Sequence, residues 1–276
     1  MLSPFGGGRF CLRSCVVRAL FLFCFSFVCA FAQFFQGQPP TGTRPVKTFN
    51  YTYYAVGYSD ETRTPLWSAM EVRQAGEPIL GCKRAGKFAP EPRAEPQIFH
   101  TDYKNSDGYS RGHLTPNAVV AYVHGCEAAK ATFVTSNIVP QLQSHNGGVW
   151  EALEAAIGGR NSGSGFVPGL VQKVPDVWIY TGPVFWGGVE GVRKLGPKEV
   201  WVPSALWKTV IWRNRKGRTR TCSWVIPHRE GIPKNSYMDY VVSMKEIEEQ
   251  AGIRILATDE EGLSGQIDAP GFLDPE

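Results

Sequence analysis

Along most of this chain, runs of aromatic and β-branched residues are broken by clusters of Gly, Pro, Asn and Asp. "FNYTYYAVGYS" and "PLWSAMEVRQ" are aromatic and β-branched and predict strands, whereas the prolines of "GCKRAGKFAPEPRAEPQIF" predict a loop. The stretch around Tyr109 to Ala121 leads into a short helix at "CEAAKATF" and then a buried strand at "FVTSNIVPQ". "NGGVWEALEAAIGG" switches to the helical period: Val149, Trp150, Leu153 and Ile157 form one apolar stripe, and Gly158 is a natural stop. Strands return in "DVWIYTGPVF", "KEVWVPS", "LWKTVIWRN" and "RTCSWVIPH". A last helix begins at Ser243, whose hydroxyl can accept from the amide of Glu246 while Glu246 reaches back, and it ends at Gly252. Consecutive strands with a few helices between them predict an α+β fold with a largely antiparallel or mixed sheet, and there is no internal repeat.

The ends carry a different pattern. In residues 1–32 three arginines precede an apolar run from Ala19 to Ala32 that closes on Ala30-Phe31-Ala32, the arrangement of a signal peptide cleaved near Ala32-Gln33. The run is shorter than the ~20 apolar residues of a membrane span. Export predicts a secreted or periplasmic protein with no stable membrane partner after cleavage. An uncleaved anchor is one alternative, because Phe34 and Phe35 prolong the apolar character. Mitochondrial targeting is the other, favoured by arginines without acids and opposed by the Phe-dense core. Residues 33–47 hold Pro and Gly at a density that predicts a linker, residues 48–260 make the domain, and residues 261–276 read as a C-terminal tail.

Composition narrows the partners. With 43% hydrophobic and 20% charged residues among 276, the chain can bury one sizeable core. Its 29 basic residues exceed 25 acidic ones, but Arg9, Arg13 and Arg18 lie in the segment expected to be lost, which leaves 26 against 25. A near-neutral body holds a polyanion only through local patches. Three of the seven cysteines lie beyond the leader, Cys82, Cys126 and Cys222, and could form one disulfide or none. The absence of a C-x-x-C pair excludes a zinc ribbon or a thioredoxin-type site.

Between Ser110 and Glu154 the chain gathers Arg111, His113, Asn137, Asn146 and Glu154. Hydrolysis of a phosphodiester needs a base for water, positive charge beside the phosphate, and help for the leaving oxygen. Histidine supplies the first near neutral pH, arginine grips phosphate oxygens through its planar fork, and a hard divalent cation on oxygen ligands supplies the rest. On a straight helix Asn146 and Glu154 would stand ~12 Å apart along the axis, so Glu154 would act on a cation at Asn146 through water rather than directly.

"SRGHLTPNA" followed by "FVTSNIVPQLQSHNGGVWEALE" resembles the DNA/RNA non-specific endonucleases of the ββα-metal (His-Me finger) superfamily, in the branch of the mitochondrial endonuclease G. The motif is carried by Arg111-Gly112-His113, Ser136-Asn137 with Pro140-Gln141, Asn146, and Trp150 with Glu154. The resemblance implies a ββα-metal nuclease fold, a central mostly antiparallel sheet flanked by helices. It further implies His113 as general base, Asn146 as the Mg²⁺ ligand with Mn²⁺ as a substitute, and Glu154 orienting waters on the metal. Arg111 would help hold the phosphate, Asn137 would support the site, and Arg84 of "KRAGKFAP" would contact substrate. DNA and RNA would be cut to 5′-phosphate ends, with exonuclease action suggested by Ser110, where most members carry Asp. Relatives of this family are often dimers, so a homodimer is implied as one assembly.

Rival readings remain at this level. A nucleic-acid-binding protein that kept the scaffold and lost turnover shares the same motif. A serine hydrolase is excluded, since "NSGSGF" lacks the glycine two before the serine that a nucleophile elbow needs. Asn137 could equally satisfy backbone groups at a turn. His100, His124, His145 and His228 read as structural or solvated, and the cations of "WRNRKGRTRT" as a solvated hairpin tip more than a phosphate contact.

Overall fold

The computed structural model describes residues 33–103, 108–259 and 261–275. The expected signal peptide lies outside the described residues. Thr41–Gly42 (β1), Lys47–Asn50 (β2), Ala55–Ser59 (β3) and Thr64–Arg73 (β4) come first, and the aromatic run "FNYTYYAVGYS" is split between β2 and β3 by a turn closed by Tyr51 N–H donating to Tyr54 O at 2.8 Å. After the proline-rich loop come Tyr109–His113 (β5), the helices Asn117–His124 (α1) and Cys126–Ala131 (α2), and Ile138–Leu142 (β6). Helix α3, Glu151–Gly158, follows, with the hairpin Arg160–Ser162 (β7) and Gly165–Val167 (β8) and the short helix Leu170–Lys173 (α4). The remainder is Asp176–Val184 (β9), Lys194–Leu195 (β10), Val200–Trp201 (β11), Ala205–Arg213 (β12), Thr219–Pro227 (β13), Val241–Val242 (β14), helix Met244–Ala251 (α5), Ile253–Arg254 (β15) and helix Ala269–Leu273 (α6).

Seven strands make the central sheet in the order β14-β13-β12-β9-β4-β3-β2, with every neighbouring pair antiparallel. The α+β class and the antiparallel sheet flanked by helices are therefore as expected. Period-two alternation gives the sheet two buried faces. Along β12, Leu206, Val210 and Trp212 enter one core with α1, α3 and α6, while Ala205, Trp207 and Ile211 enter the other with α5. Dry cores on both faces explain why these strands read as nearly continuous apolar runs.

The linker and the tail turn out to be packed structure. Phe34 and Phe35 are buried in the second core, Phe35 N–H donates to Tyr180 Oη at 2.7 Å, and β1 pairs with β15. Two phenylalanines bury enough apolar area to hold a short segment in place despite its prolines and glycines. In the tail, Leu263 and Phe272 are buried, and the Phe272 ring sits 4.8 Å from Trp224. Among the described residues no helix is long and apolar enough to cross a membrane. The cysteine alternatives resolve as a Cys82–Cys126 disulfide with Cys222 free and buried.

Candidate active site

The candidate motif is built on the antiparallel pair β5–β6, a two-stranded sheet separate from the main one and joined through α1 and α2, in which Arg111 pairs with Pro140 and His113 with Ile138. Residues two apart on a strand share a face, so Arg111 and His113 look into the same groove. Gly112 lies between them because a Cβ there would stand 1.9 Å from Gln141 Oε1. The groove encloses about 510 Å³ and is lined by Ser110, Arg111, His113, Asn146 and Glu154 together with Arg84 from the proline-rich loop. Five of the six expected site residues therefore converge.

Asn137 is the exception. It is fully buried and absent from the groove lining; its Oδ1 accepts from Thr115 N–H at 3.0 Å, and its Nδ2 donates to Thr115 O and Thr132 O, both at 3.1 Å. All these side-chain contacts are to backbone groups, of Thr115 in the turn after His113 and of Thr132 at the end of α2, so the carboxamide ties the two segments together.

His113 is packed between aromatic rings, 5.1 Å from Phe88 and 4.8 Å from Phe133, and its buried Nε2 has no hydrogen-bond partner. Burial, reinforced by the Arg84 charge, pushes the ring down to about 3, so the imidazole is neutral at physiological pH. The same aromatics carry the arginines: Arg111 lies 5.4 Å over Phe88 and Arg84 5.3 Å over Phe133. The Cys82–Cys126 bridge ties the loop bearing Arg84 to the start of α2.

Asn146 and Glu154 do not share a straight helix. A π-helical turn covers Asn146–Trp150 and breaks at Gly148 (φ −106°, ψ −117°) before α3 begins, so the axial separation expected from ideal geometry does not apply. Such turns recur at functional sites because they re-aim side chains. Here Asn146 Nδ2 donates to Ser110 Oγ at 3.0 Å, and Ser110 Oγ–H donates to Gln141 O at 2.9 Å. With its nitrogen held by Ser110, the carboxamide has its oxygen left to accept a cation.

Glu154 borders the apolar stripe of α3, and its buried Oε1 has no hydrogen-bond partner. Burial raises its pKa, and Lys208 opposes that rise more than any other group. Lys208, whose charge acts on Glu154 from behind the groove, was not singled out by the sequence. It is fully buried in the middle of β12, its Nζ donating to Thr181 Oγ1 at 2.7 Å and lying 4.8 Å from the Trp150 ring centroid. The signal was present as a lysine between Trp207 and Thr209 in the strand "ALWKTVIW", at a position where the alternation calls for an apolar side chain.

The description "DNA/RNA non-specific endonuclease" fits residues 32–260 as a family. The chain belongs to that family. It is 28% identical over 231 residues to the human mitochondrial nuclease EXOG, covering 79% of this chain and 58% of that protein. It is 26% identical over 235 residues to a nuclease of Nostoc sp., covering 79% of this chain and 78% of that one. Bovine mitochondrial endonuclease G is 26% identical over 212 residues, with 72% and 66% covered. The solved complex of EndoG with EndoGI superposes with a TM-score of 0.62 at 22% identity, over 75% of this chain and 84% of that one, and so shares the fold. The chain spans about three-fifths of the length of the EXOG nucleases it matches.

Proposed function

We propose that this chain is a divalent-metal-dependent nuclease that hydrolyses phosphodiester bonds in DNA and RNA and leaves 5′-phosphate ends. The observation that carries the reading is a single groove in which an unpartnered, neutral imidazole faces two arginines, an oriented carboxamide and a buried carboxylate. His113 Nε2 takes the proton from the attacking water. Arg111 and Arg84 hold the phosphate oxygens, and the anion they hold offsets the Arg84 charge that depresses His113, making the ring a stronger base once substrate is seated.

The donor set suits a hard cation. Asn146 Oδ1 and the Glu154 carboxylate offer oxygen ligands, and among the described residues no group of three or more His, Cys, Asp or Glu competes for a softer metal. Mg²⁺, with Mn²⁺ as a substitute, would supply charge to the phosphate and the leaving oxygen when bound. Lys208 keeps Glu154 toward its ionised form for that task.

The test is relaxation of supercoiled plasmid, and degradation of RNA, with Mg²⁺, with Mn²⁺ and with EDTA, for wild type beside His113→Ala and Asn146→Ala. Loss of the base lowers the rate by about 10²–10⁴-fold. Equal cutting by all three proteins would refute the assignment, and binding without cutting by the wild type would support the rival nucleic-acid-binding reading. End-group labelling identifies the 5′-phosphate, and linear against circular DNA separates exonuclease from endonuclease action. We also propose export, supported by the Cys82–Cys126 disulfide, since such bonds persist in oxidising compartments. The mitochondrial names of several relatives support the alternative location. The mass of the mature N-terminus decides between them, and sedimentation decides whether the chain forms a homodimer.

A further inference from the structure

A second groove of about 590 Å³ adjoins the first, with Ala118, Glu151 and Glu154 lining both. Its walls come from the β7–β8 hairpin, α4, the loop at Lys234 and helix α6. Arg160 and Lys173 line it, exposed and with no acidic partner among the described residues. Lys234 lines it too and is held to Glu151 at 2.6 Å, with both side chains more than half exposed. An exposed ion pair contributes little net stability, so Lys234 is free to exchange Glu151 for another anion. Val167 and Leu273, two of the few large apolar side chains left exposed, face the same groove beside the half-buried ring of Tyr237. Cations alternating with apolar and aromatic surface suit a ligand that is itself anionic at one edge and flat and apolar at the other.

We propose that this groove is a binding subsite for the nucleic-acid strand on one side of the scissile bond, with phosphates on Arg160, Lys173 and Lys234 and a base against Tyr237. The inference rests on the nuclease reading of the neighbouring groove and extends it to substrate length. Its volume falls within the ~300–1,000 Å³ of clefts that bury a small organic ligand. The lining shared at Ala118, Glu151 and Glu154 sets it beside the groove of the reacting phosphate, with Lys234 offsetting the Glu151 charge at that border. The basis is local: the domain is close to neutral overall, so affinity for a polyanion has to come from a patch of this kind.

The experiment uses the full chain with Mg²⁺ and two substrates: bis(p-nitrophenyl) phosphate, a diester too small to reach past Glu154, and a single-stranded oligonucleotide lengthened stepwise on its 5′ or its 3′ side. Wild type is compared with Arg160→Glu/Lys173→Glu, with Tyr237→Ala, and with Lys245→Glu, a charge reversal on the exposed face of α5. The expected result is a KM for wild type that falls on lengthening one side of the scissile bond and not the other. The ratio of kcat/KM on the long strand to that on the small diester falls about tenfold or more in the double variant and in Tyr237→Ala. The slope of log KM against log salt drops by about 0.7 for each phosphate contact removed. Length independence on both sides in wild type, or a ratio and salt slope in the double variant equal to those of Lys245→Glu, overturns the subsite. Absence of turnover on every substrate by wild type would instead strike at the nuclease reading itself.

Discussion

Replacing Lys208 with methionine isolates what a buried ammonium does beneath the groove. The side chain is fully enclosed between Leu206 and Val210 on the site-facing side of β12, with Thr181 Oγ1 as its hydrogen-bond partner. Burial drives the Glu154 carboxyl toward its neutral form, and the Lys208 charge is the largest effect resisting it; Glu154 in turn resists the deprotonation that burial imposes on Lys208. Methionine keeps the length and removes the charge. Loss of a nearby opposite charge raises a carboxyl by about 1–3 pKa units, at 1.36 kcal/mol each, or roughly 1.4–4 kcal/mol. Because Glu154 is already raised, the variant carries it mostly protonated at neutral pH. The sign follows: activity that needs the carboxylate is present above the Glu154 pKa and lost below it, so the acidic limb of the rate profile moves up by the same 1–3 units. With Glu154 starting at about 7, that lowers the rate at pH 7 by about 5- to 500-fold, partly recovered in alkali. The assay is kcat/KM for oligonucleotide hydrolysis at saturating Mg²⁺ from about pH 5 to pH 9. Glu154→Gln in the Lys208→Met background should abolish any remaining shift of that limb. An acidic limb in Lys208→Met that coincides with wild type would refute the coupling between Lys208 and Glu154.

Two further outcomes follow from the same geometry. Opening the Cys82–Cys126 bridge, by reductant or Cys126→Ser, frees a loop of 44 residues' separation that carries Arg84, with a chain-entropy cost near ~4 kcal/mol; KM for nucleic acid should rise and the melting temperature fall, and an unchanged KM would remove the bridge from substrate binding. His145 is pushed down by burial to about 3, and His228, also pushed down, accepts from Leu142 N–H at 2.7 Å and donates to Pro203 O at 2.8 Å. Both are neutral when folded and take up protons more readily when unfolded, so stability is full above ~6.5 and declines as pH falls toward 3, by as much as ~5 kcal/mol for His145. Melting curves at falling pH should show this loss, and His228→Gln should reduce it only by the His228 share, leaving the larger His145 part.

The strands were legible because burial on both faces leaves long aromatic and β-branched runs, and the stripe leading into α3 because Val149, Trp150, Leu153 and Ile157 are all buried. Helix α1 was not, since Val119, Val120 and Val123 look like strand residues and packing against α2 and α3 selects the helix. The docking of residues 33–47 depends on β15 and Tyr180, more than 140 residues away in each case, and composition carries no record of such partners. The convergence of Arg111, His113, Asn146 and Glu154 on one groove was legible because their spacing survives as a motif. Lys208 and the second groove were not, as they assemble from segments that have nothing in common until the sheet forms.

That sheet divides the molecule as a bulkhead divides a hull. Leu206, Lys208, Val210 and Trp212 serve the compartment with the machinery, while Trp207, Ile211, Met244 and the docked Phe34–Phe35 pair serve the other. Thermal robustness can therefore be tuned from behind, by repacking the rear compartment, while the reacting groups in front keep their places.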